Sequence, residues 1–402
     1  MKHLLFISWW WPYPANNGSK IRAYNLLRHL SEQYRVTLLS FAEADEGTPE
    51  QIAHMQTLCE QVERIQKPEY RPATMKATAG YLSRWPRSLV DTYSPEMARQ
   101  VVAALNGSTV DVIMGLQIQT MRYLELAPQI PAILEEVETT TFRNAAEQSS
   151  GKAQRFRSNL TLSKLNNALA GLHKRGVALT VVSQAEKDYL RFLSPSGERI
   201  TVVPNGVDTE ANRPDPAIQP LPHTLIYTGA VTYDANYEAV EWFVKQVWPL
   251  VRARYPQARF TVTGGTGKVD VSKLAAQPGV TFSGYLPSVA DSVRQSWAVL
   301  ATLRTGGGTR LKILEAMALG IPVIATSKGA EGLTVKDGDN ILIANTPQQV
   351  AAAVSRLFED NALRAKLVSG GRALVEEQYD WGKLTGKLVE LIEQITARRQ
   401  PV

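Results

Sequence analysis

The sequence predicts an α/β protein built from two Rossmann-like, doubly wound domains. Apolar runs of strand length alternate with helical periodicities in both halves of the chain, and glycines follow many of the apolar runs. Such repeated βα units form parallel sheets that are covered by helices on both faces. A chain of 402 residues is also too long for one compact core.

The stretch 209–223 separates the two halves. It shows little periodicity and holds four prolines, Pro214, Pro216, Pro220 and Pro222. This composition is typical of a linker between domains. The sequence therefore predicts a first domain over 1–208, a linker over 209–223, a second domain over 224–378 and a final segment over 379–402.

Composition and charge limit the function. Hydrophobic residues make up 44% and charged residues 20% of the chain, as in soluble globular proteins. A net charge of +6 favours an anionic ligand, an acidic membrane surface or nucleic acid. Nucleic acid is the least favoured, because the chain has no nucleic-acid motif and no block of five like charges.

The single cysteine, Cys59, excludes an internal disulfide and indicates a reducing compartment, so we expect a cytoplasmic protein with peripheral contact at the inner membrane face as an option. The apolar start, Met1–Pro14, is short and lacks a small-residue cleavage site, so it predicts a β-strand rather than a signal peptide. No apolar run approaches the ~18 residues of a membrane span.

In the first half, the predicted strand Leu4–Ser8 leads into a loop with Asn17, Gly18 and Ser19, and then into a helix over Ile21–Leu30. Ligands bind at the carboxyl ends of the strands in open α/β sheets, so the amides of this loop are candidate ligand contacts. The alternative is a tight turn that starts a surface-charged helix.

Two further strands of the first half end in polar residues. The strand predicted over 111–116 ends at Gln117. The strand predicted over 132–134 is followed by Glu135, Glu136 and Glu138. Polar groups at these strand ends face the same crevice in this architecture.

The segment 67–93 is irregular, aromatic and basic, and such long segments are often functional. Trp85 between Arg84 and Arg87 is either an exposed contact for a sugar, lipid headgroup or partner, or a cap on the core. The cluster Trp9–Trp11 is a second candidate contact for a lipid-linked or small hydrophobic acceptor.

The most distinctive stretch of the second half follows the apolar run 297–303. Three glycines, Thr309 and Arg310 lead into a helical pattern that ends at Leu319. A glycine turn at a helix N-terminus is an anion site, and Glu315 on that helix is placed to accept two ribose hydroxyls. The alternative is a plain helix start with surface cations.

These pieces together resemble the large family of retaining, GT-B-fold glycosyltransferases that use nucleotide-sugar donors. The matching segments, in chain order, are Pro14 to Gly18 with Arg22 and Leu26-Leu27, Val182-Ser183 with Glu186, Val203-Pro204-Asn205-Gly206-Val207-Asp208, Thr228-Gly229, and Glu315-Ala316-Met317-Ala318 with Gly320 and Pro322-Val323-Ile324. They span nearly the whole chain.

The resemblance implies two domains facing across a cleft, with the donor mainly on the second domain and the acceptor on the first. It implies that the final helix, from about Tyr379, crosses back to the first domain. It also implies that Glu315 holds the ribose and that the loop around Gly18 closes over the diphosphate and sugar. The implied donor-binding residues are Asn17, Gly18, Ser19, Gly229, Asn236, Gly264, Gly265, Phe282, Gly284, Tyr285, Gly307, Gly308, Thr309, Arg310, Leu311, Lys312 and Glu315. The predicted catalytic residues are Arg310, Lys312, Gly18, Glu138 and Gln117.

The sequence departs from the family pattern at three places. Gly307 stands where the first of two signature glutamates is expected, and Ala230–Asn236 lacks the usual Arg and Lys. No histidine follows the strand of the first domain after which the family usually has one. Gln117 or Glu138 lies at a comparable position. A divergent subgroup, with Arg310 supplying the missing charge together with Lys312, accounts for all three.

The predicted reaction transfers a hexose from a nucleotide diphosphate sugar to a glycan, lipid-linked or small-molecule hydroxyl. A UDP-sugar is the first expectation and a GDP-sugar the second. Cations and helix-end amides stabilise the charge that develops on the leaving phosphate, whose oxygen takes the acceptor's proton during attack from the same face. The candidate site lacks an Asp-x-Asp signature, so no metal or other cofactor is expected.

Three alternatives remain open. A nucleotide-sugar 2-epimerase shares the GT-B architecture. A non-catalytic nucleotide- or membrane-binding protein fits the missing acidic residue at Gly307. A nicotinamide dehydrogenase is disfavoured, because no Gly-x-Gly-x-x-Gly opens the first βα turn.

Overall fold

Two separate parallel sheets organise the chain. The computed structural model describes residues 1–286, 288–306 and 310–397. The chain forms two units, Met1–Pro204 with the segment from Leu384 onward, and Asn205–Lys383. The domain boundaries at 208, 223 and 378 stay predictions.

The first unit contains seven strands, most of which are buried apolar runs. They are β1 (His3–Ser8), β2 (Arg35–Ala42), β3 (Gln61–Gln66), β4 (Val112–Leu116), β5 (Ala132–Glu135), β6 (Ala178–Val181) and β7 (Ile200–Val202). All pairs are parallel, and the order across the sheet is β3-β2-β1-β4-β5-β6-β7. The strand order therefore reverses between β1 and β4, where doubly wound folds bind ligands.

The second unit repeats this topology with six strands among its described residues. They are β8 (Thr224–Thr228), β9 (Arg259–Thr263), β10 (Val280–Gly284), β11 (Ala298–Ala301), β12 (Val323–Ala325) and β13 (Leu342–Ile343). The sheet is again parallel, in the order β10-β9-β8-β11-β12-β13. Its reversal point lies between β8 and β11.

Helices connect the strands in both units. In the first unit they are α1 (Gly18–Leu30), α2 (Pro49–Gln56), α3 (Met75–Ala79), α4 (Arg87–Asp91), α5 (Pro95–Gly107), α6 (Met121–Leu124), α7 (Thr140–Glu147), α8 (Lys152–Lys174) and α9 (Gln184–Tyr189). In the second unit they are α10 (Asp234–Trp242), α11 (Trp248–Arg254), α12 (Ser272–Ala275), α13 (Val289–Arg294), α14 (Leu311–Ala318), α15 (Pro347–Glu359) and α16 (Asn361–Leu374). The last helix, α17 (Trp381–Ala397), begins in the second unit and contributes Glu393 to the first, where it accepts a hydrogen bond from Tyr34 at 3.0 Å.

Local sequence explains where several helices begin. Ser94 caps α5 and Thr346 caps α15, and a proline follows each cap at the first helical position. Proline there gives up no intrahelical hydrogen bond, and the hydroxyl satisfies a free backbone N–H. At Thr346 the Gln349 side chain also returns to the cap, which completes a capping box.

The predicted α/β class with two Rossmann-like sheets is confirmed. The two-residue strand β13 and the short helices α3 and α4 within 67–93 were not predicted from the sequence. Trp85 is only 6% exposed and packs in the first unit's core, so it caps the core rather than standing free. Trp9 and Trp11 are buried as well, which leaves Trp10 as the half-buried member of that cluster.

Candidate functional site

The start of α14 carries a buried cation at the reversal point of the second sheet. Arg310 is the residue that precedes the helix, and its guanidinium is buried. Nη2 donates to Glu331 at 3.1 Å, whereas Nε is buried without a hydrogen-bond partner among the described residues. Burial lowers the pKa of Arg310, which Glu331 partly offsets. A buried donor of this kind favours an anion. The predicted contacts Gly307, Gly308 and Thr309 lie outside the described residues.

Lys312, in the first turn of α14, points its amine at the loop after β8. Nζ donates to Asn236 Oδ1 at 3.2 Å and lies 3.8 Å from the centre of the Tyr227 ring. Burial lowers the pKa of Lys312 to about 7, although Glu315 acts in the opposite direction. The amine is therefore poised between its neutral and charged forms at neutral pH, and a bound anion favours the charged form.

Glu315 lies one turn further along α14, half-buried. Burial raises the pKa of its carboxyl to about 7, and Lys312 opposes this shift. Neighbours that donate hydrogen bonds, such as vicinal hydroxyls, stabilise the ionised form of such a carboxyl. We call Asn236, Arg310, Lys312 and Glu315 the α14 cluster.

Two glycines allow the loops around the α14 cluster to approach each other. Gly229 has φ of +130° and Gly264 has φ of +103°. A Cβ at Gly264 would lie 2.6 Å from the backbone nitrogen of Ala230, and one at Gly229 would lie 3.4 Å from Lys312 Nζ. The structure therefore brings predicted residues from the ends of β8 and β9 together with α14. Gly265, by contrast, has open space around it.

Asn236 is held by its own loop. Tyr227 donates its hydroxyl to Asn236 Oδ1 at 2.8 Å, and Asn236 Nδ2 donates to the Ala230 carbonyl at 2.9 Å. These bonds fix the amide that receives Lys312. Asn236 was predicted as a site residue from the sequence, but Tyr227 was not. A tyrosine inside an apolar strand usually indicates a core residue.

The turn that follows β11 packs against the start of α10. Gly306 has φ of +83°, and a Cβ there would lie 2.9 Å from Ala235 Cβ and 3.1 Å from the Tyr233 hydroxyl. Tyr233, which is half exposed, was not foreseen, although it lies inside the predicted loop 229–236. Its hydroxyl adds a polar group beside the turn that leads towards α14.

The residues predicted near the base lie at the carboxyl end of β10. Phe282 is partly buried against the core, and Gly284, with φ of +68°, accepts a hydrogen bond from Gly264 N at 2.9 Å. Tyr285 follows and is 85% exposed. Gly264 therefore links this strand end to the loop beside the α14 cluster.

A second polar network lies at the reversal point of the first sheet. Gln117 Nε2 donates to Glu136 Oε2 at 2.9 Å and to Ser19 Oγ at 3.2 Å, and Trp10 Nε1 donates to Gln117 Oε1 at 2.8 Å. We call these four residues the Gln117 network. It joins the ends of β1, β4 and β5 through one side chain after each strand and Ser19 in the first turn of α1.

Two members of the Gln117 network have left-handed backbone. Gln117 has φ of +69° and Glu136 has φ of +57°, a conformation that side-chain-bearing residues rarely adopt. Burial raises the pKa of Glu136 to about 7, while Arg22 acts in the opposite direction. Strained backbone and a perturbed carboxyl at one strand end are typical of functional sites.

The other residues predicted in the first unit have different surroundings. Asn17 Oδ1 caps α1 by accepting from Lys20 N at 3.1 Å, and Gly18 is the first residue of that helix. Glu138 is exposed and accepts from the Thr141 hydroxyl at 3.0 Å. The structure thus brings Ser19 to Gln117 but adds Glu136 rather than Glu138, which the sequence could not separate because both follow the same strand.

Arg22 and Glu135 form a buried ion pair behind the Gln117 network. Arg22 Nη2 also donates to the Val203 carbonyl at 2.9 Å, and Thr180 donates to Glu135 at 3.1 Å. Burial lowers the pKa of Arg22, but Glu135 outweighs it and leaves that pKa raised. The pair ties α1 to β5 and to the end of β7.

Two features are absent from the described residues, a cluster of metal-binding side chains and a membrane-spanning helix. Among residues 1–286, 288–306 and 310–397, no group of three or more His, Cys, Asp and Glu side chains is placed to hold a metal ion. An Asp-x-Asp sequence does occur outside the candidate site, at Asp337-Gly338-Asp339, where Asp339 pairs with Lys336 at 2.6 Å and Lys366 at 2.7 Å. None of the described helices combines the length and apolar content of a membrane span.

The fold and its two strand-end sites define a GT-B protein, and comparison with known proteins gives the family. The domain described as "Glycosyltransferase Family 4" matches residues 16–211, and the domain described as "Glycosyl transferases group 1" matches residues 222–360. The chain therefore belongs to the group 1 glycosyltransferases of GT-B fold.

Two curated relatives come from mycobacteria. The GDP-mannose-dependent alpha-(1-6)-phosphatidylinositol monomannoside mannosyltransferase of Mycobacterium tuberculosis (strain H37Rv) is 27% identical over 236 residues, covering 52% of this chain and 60% of that protein. The phosphatidyl-myo-inositol mannosyltransferase of Mycobacterium leprae is 23% identical, covering 59% and 64%. The chain thus spans somewhat under two thirds of the length of these relatives.

Solved structures agree on the fold over the whole length. Anabaena HepE in complex with UDP superposes with a TM-score of 0.66 at 15% identity, covering 98% of this chain and all of that one. Sucrose-phosphate synthase from Thermosynechococcus elongatus gives a TM-score of 0.69 at 18% identity, covering 99% and 100%.

Proposed function

We propose that the protein is a retaining glycosyltransferase that moves a hexose from a nucleoside diphosphate sugar to an acceptor hydroxyl. Family membership supports the reaction class. The observation that carries the proposal is the α14 cluster, which places the buried Arg310, the half-buried Lys312 and a carboxyl of raised pKa at the start of one helix. That helix begins at the reversal point of the second sheet, where such folds bind nucleotides.

The donor's diphosphate would contact Arg310 and Lys312. The buried Nε of Arg310 and the amine of Lys312 would each donate to a phosphate oxygen, and the helix dipole adds to their effect. The same groups would stabilise the charge that develops as the glycosidic bond breaks. Glu315 would accept the two ribose hydroxyls, which offsets the desolvation of its carboxylate. Phe282 and Tyr285, at the end of β10, are our candidates for the base.

A UDP-sugar is our first candidate donor, and a GDP-sugar is the second. The curated mannosyltransferases carry GDP-mannose in their names, which supports the second. Direct titration with UDP, GDP and ADP separates the two, because the nucleotide whose base best fits the residues at the end of β10 binds with the lowest Kd.

The Gln117 network is our candidate for the acceptor side. Gln117 and Glu136 offer an amide and a carboxylate to the hydroxyl of a glycan, a lipid-linked sugar or a small molecule. In the retaining mechanism the phosphate oxygen of the leaving group takes the acceptor's proton, so the network needs only to bind and orient the hydroxyl. A cytoplasmic location fits the nucleotide-sugar donor and the buried thiol of Cys59, whose pKa burial raises to about 12.

Calorimetry and product analysis test this proposal. UDP or GDP should bind the wild type, and Arg310→Ala should lower the transfer rate roughly 100-fold or more. Arg304→Ala is the matched control, because Arg304 is exposed and lies over Trp242. Absence of nucleotide binding would overturn the donor site. A product of inverted anomeric configuration by NMR would overturn retention, and conversion of the donor without an acceptor would identify an epimerase.

A further inference from the structure

The positive charge of the chain is concentrated in two segments of the first unit. Residues 67–87 contain five Lys or Arg and one Glu. Residues 140–175 contain seven Lys or Arg and one Glu. Their combined net charge of +10 exceeds the +6 of the whole chain, so the rest is net acidic. A charge distribution this uneven indicates an acidic partner at these segments.

The two segments are neighbours in the structure. Lys164, in the middle of α8, donates its amine to the carbonyls of Gly80 and Tyr81 at 2.8 and 2.9 Å. Arg87 braces the same segment by donating to the Ala77 carbonyl at 2.8 Å. The loop that follows α3 is therefore fixed against α8 rather than free to fold away.

Exposed apolar side chains accompany the cations. Leu82, next to Tyr81, is 96% exposed, and Phe156 near the start of α8 is 66% exposed. Phe156 precedes Lys164 by eight residues, which is about 12 Å along the helix. Large side chains with this exposure contribute little to the core of the unit, and these two lie on elements that Lys164 holds together.

The cations around these apolar side chains are available to a partner. Lys76, Lys152, Arg155 and Arg157 are all exposed. Within the described part of the chain, Lys152, Arg155 and Arg157 have no carboxylate within ion-pairing distance. By contrast, Arg84 pairs with Glu125 at 2.6 Å. We define the basic surface as these four cations with Leu82 and Phe156.

We propose that the basic surface binds a membrane that carries anionic lipids. Lys and Arg beside a membrane are attracted to acidic headgroups, while leucine and phenylalanine enter the boundary between headgroups and acyl chains. Nucleic acid attracts the cations equally but gives no role to an exposed leucine. The surface belongs to one unit only and shares no residue with the α14 cluster or the Gln117 network, so the proposal does not depend on the donor or acceptor.

Vesicle sedimentation of the full chain tests this assignment. At about 50 mM NaCl the protein should pellet with vesicles of about 30% phosphatidylserine in phosphatidylcholine, and at about 500 mM NaCl it should not. The triple variant Lys152→Ala, Arg155→Ala, Arg157→Ala should partition roughly 100-fold less, since each cation contributes roughly fivefold. Alanine suits an exposed helix, so this variant should fold.

A matched control removes three exposed cations from the second unit, with Lys273→Ala, Arg356→Ala and Lys383→Ala. This variant has the same net charge and should bind like the wild type. A double variant, Leu82→Ser with Phe156→Ser, should lose roughly tenfold or more, because the apolar insertion is lost. Unchanged nucleotide binding in all variants shows that they are folded and keeps this result separate from the donor proposal.

Three outcomes would overturn the inference. One is no sedimentation with anionic vesicles. Another is an equal loss of vesicle binding in the two triple variants, which would show that only the net charge of the protein matters and not the basic surface. The third is tighter binding to a DNA or RNA oligonucleotide than to vesicles. If the triple variant on α8 lost this binding and the double variant at Leu82 and Phe156 kept it, the partner would be a nucleic acid instead.

Discussion

Lys312→Met should weaken the binding of UDP and remove most of its dependence on pH just above neutrality. The Lys312 amine is desolvated, with a pKa of about 7, so only about half of the free protein carries this charge at about pH 7. The diphosphate interacts with the charged form, so binding draws a proton from the solution. Methionine keeps the apolar stem over Tyr227 and removes the charge.

The magnitude follows from the protonation equilibrium. Between about pH 7 and pH 8 the charged fraction falls from about one half to about one tenth, so the Kd of the wild type should rise roughly fivefold. Loss of the amine removes a charge-assisted hydrogen bond of about 2 kcal/mol, which weakens UDP binding roughly 30-fold. The variant's Kd should then not rise over this range.

Calorimetry in buffers of different ionisation enthalpy measures both effects. The wild type should take up about half a proton more per UDP than the variant at about pH 7, because only the wild type has the Lys312 amine to protonate. Lys273→Met, an exposed lysine on α12, should behave like the wild type. A wild-type Kd that does not change with pH, or a variant that binds as tightly as the wild type, would refute the role of Lys312.

The same shift predicts a change in stability with a definite sign. The folded-state pKa of Lys312 lies below the unfolded value, so the unfolded chain binds more protons between about pH 7 and pH 10. The wild type should therefore gain stability relative to Lys312→Met as pH rises through that window. Urea unfolding of both proteins, without ligand, measures the difference.

Three further predictions follow from the two sites. Glu315→Gln should weaken UDP binding roughly tenfold or more but leave pyrophosphate binding within about twofold, because only UDP has ribose hydroxyls to donate; equal losses for both ligands in calorimetry would contradict the assignment. Gly264→Ala should lower the free energy of unfolding in urea by about 3 kcal/mol, since its Cβ would clash with Ala230 N at positive φ. Gly265→Ala should leave the free energy of unfolding nearly unchanged, because there is open space around Gly265. Glu136→Gln should lower kcat roughly 10- to 100-fold with UDP affinity unchanged, while exposed Glu138→Gln should have little effect; the reverse pattern would favour the sequence-based choice of Glu138.

Local sequence patterns correctly predicted those helices and strands whose formation depends only on nearby residues. Most of the strands are short apolar runs, and the caps at Ser94 and Thr346 each depend on the residue three positions away. The weakest prediction lay in 67–93, where no periodicity marks the short helices α3 and α4. Their position depends on contacts with each other and on the hydrogen bonds from Lys164 of α8 to Gly80 and Tyr81, which local periodicity does not reveal.

The Ser183–Glu186 spacing shows the limit of a local rule. It predicts a capping box, and Ser183 does accept a hydrogen bond from Glu186 N at 3.2 Å. The Glu186 carboxylate, however, accepts from the backbone nitrogens of Thr139 at 3.2 Å and Thr140 at 2.9 Å, and so it caps a different helix, α7. A buried carboxylate takes the nearest free donors, and these came from another part of the fold.

The class of the protein, the two repeated βα halves and the position of α14, the helix that we propose binds the diphosphate, could all be predicted from the sequence. This was possible because hydrophobic period, glycine turns and the order of family segments are properties of the chain read along its length. Only the tertiary structure decided which side chains share a site. Lys312 meets Asn236 across 76 positions in the chain, and Glu136 rather than Glu138 meets Gln117. Both results depend on the strand order and on the backbone φ where each strand ends, since these set the direction in which a side chain leaves the sheet.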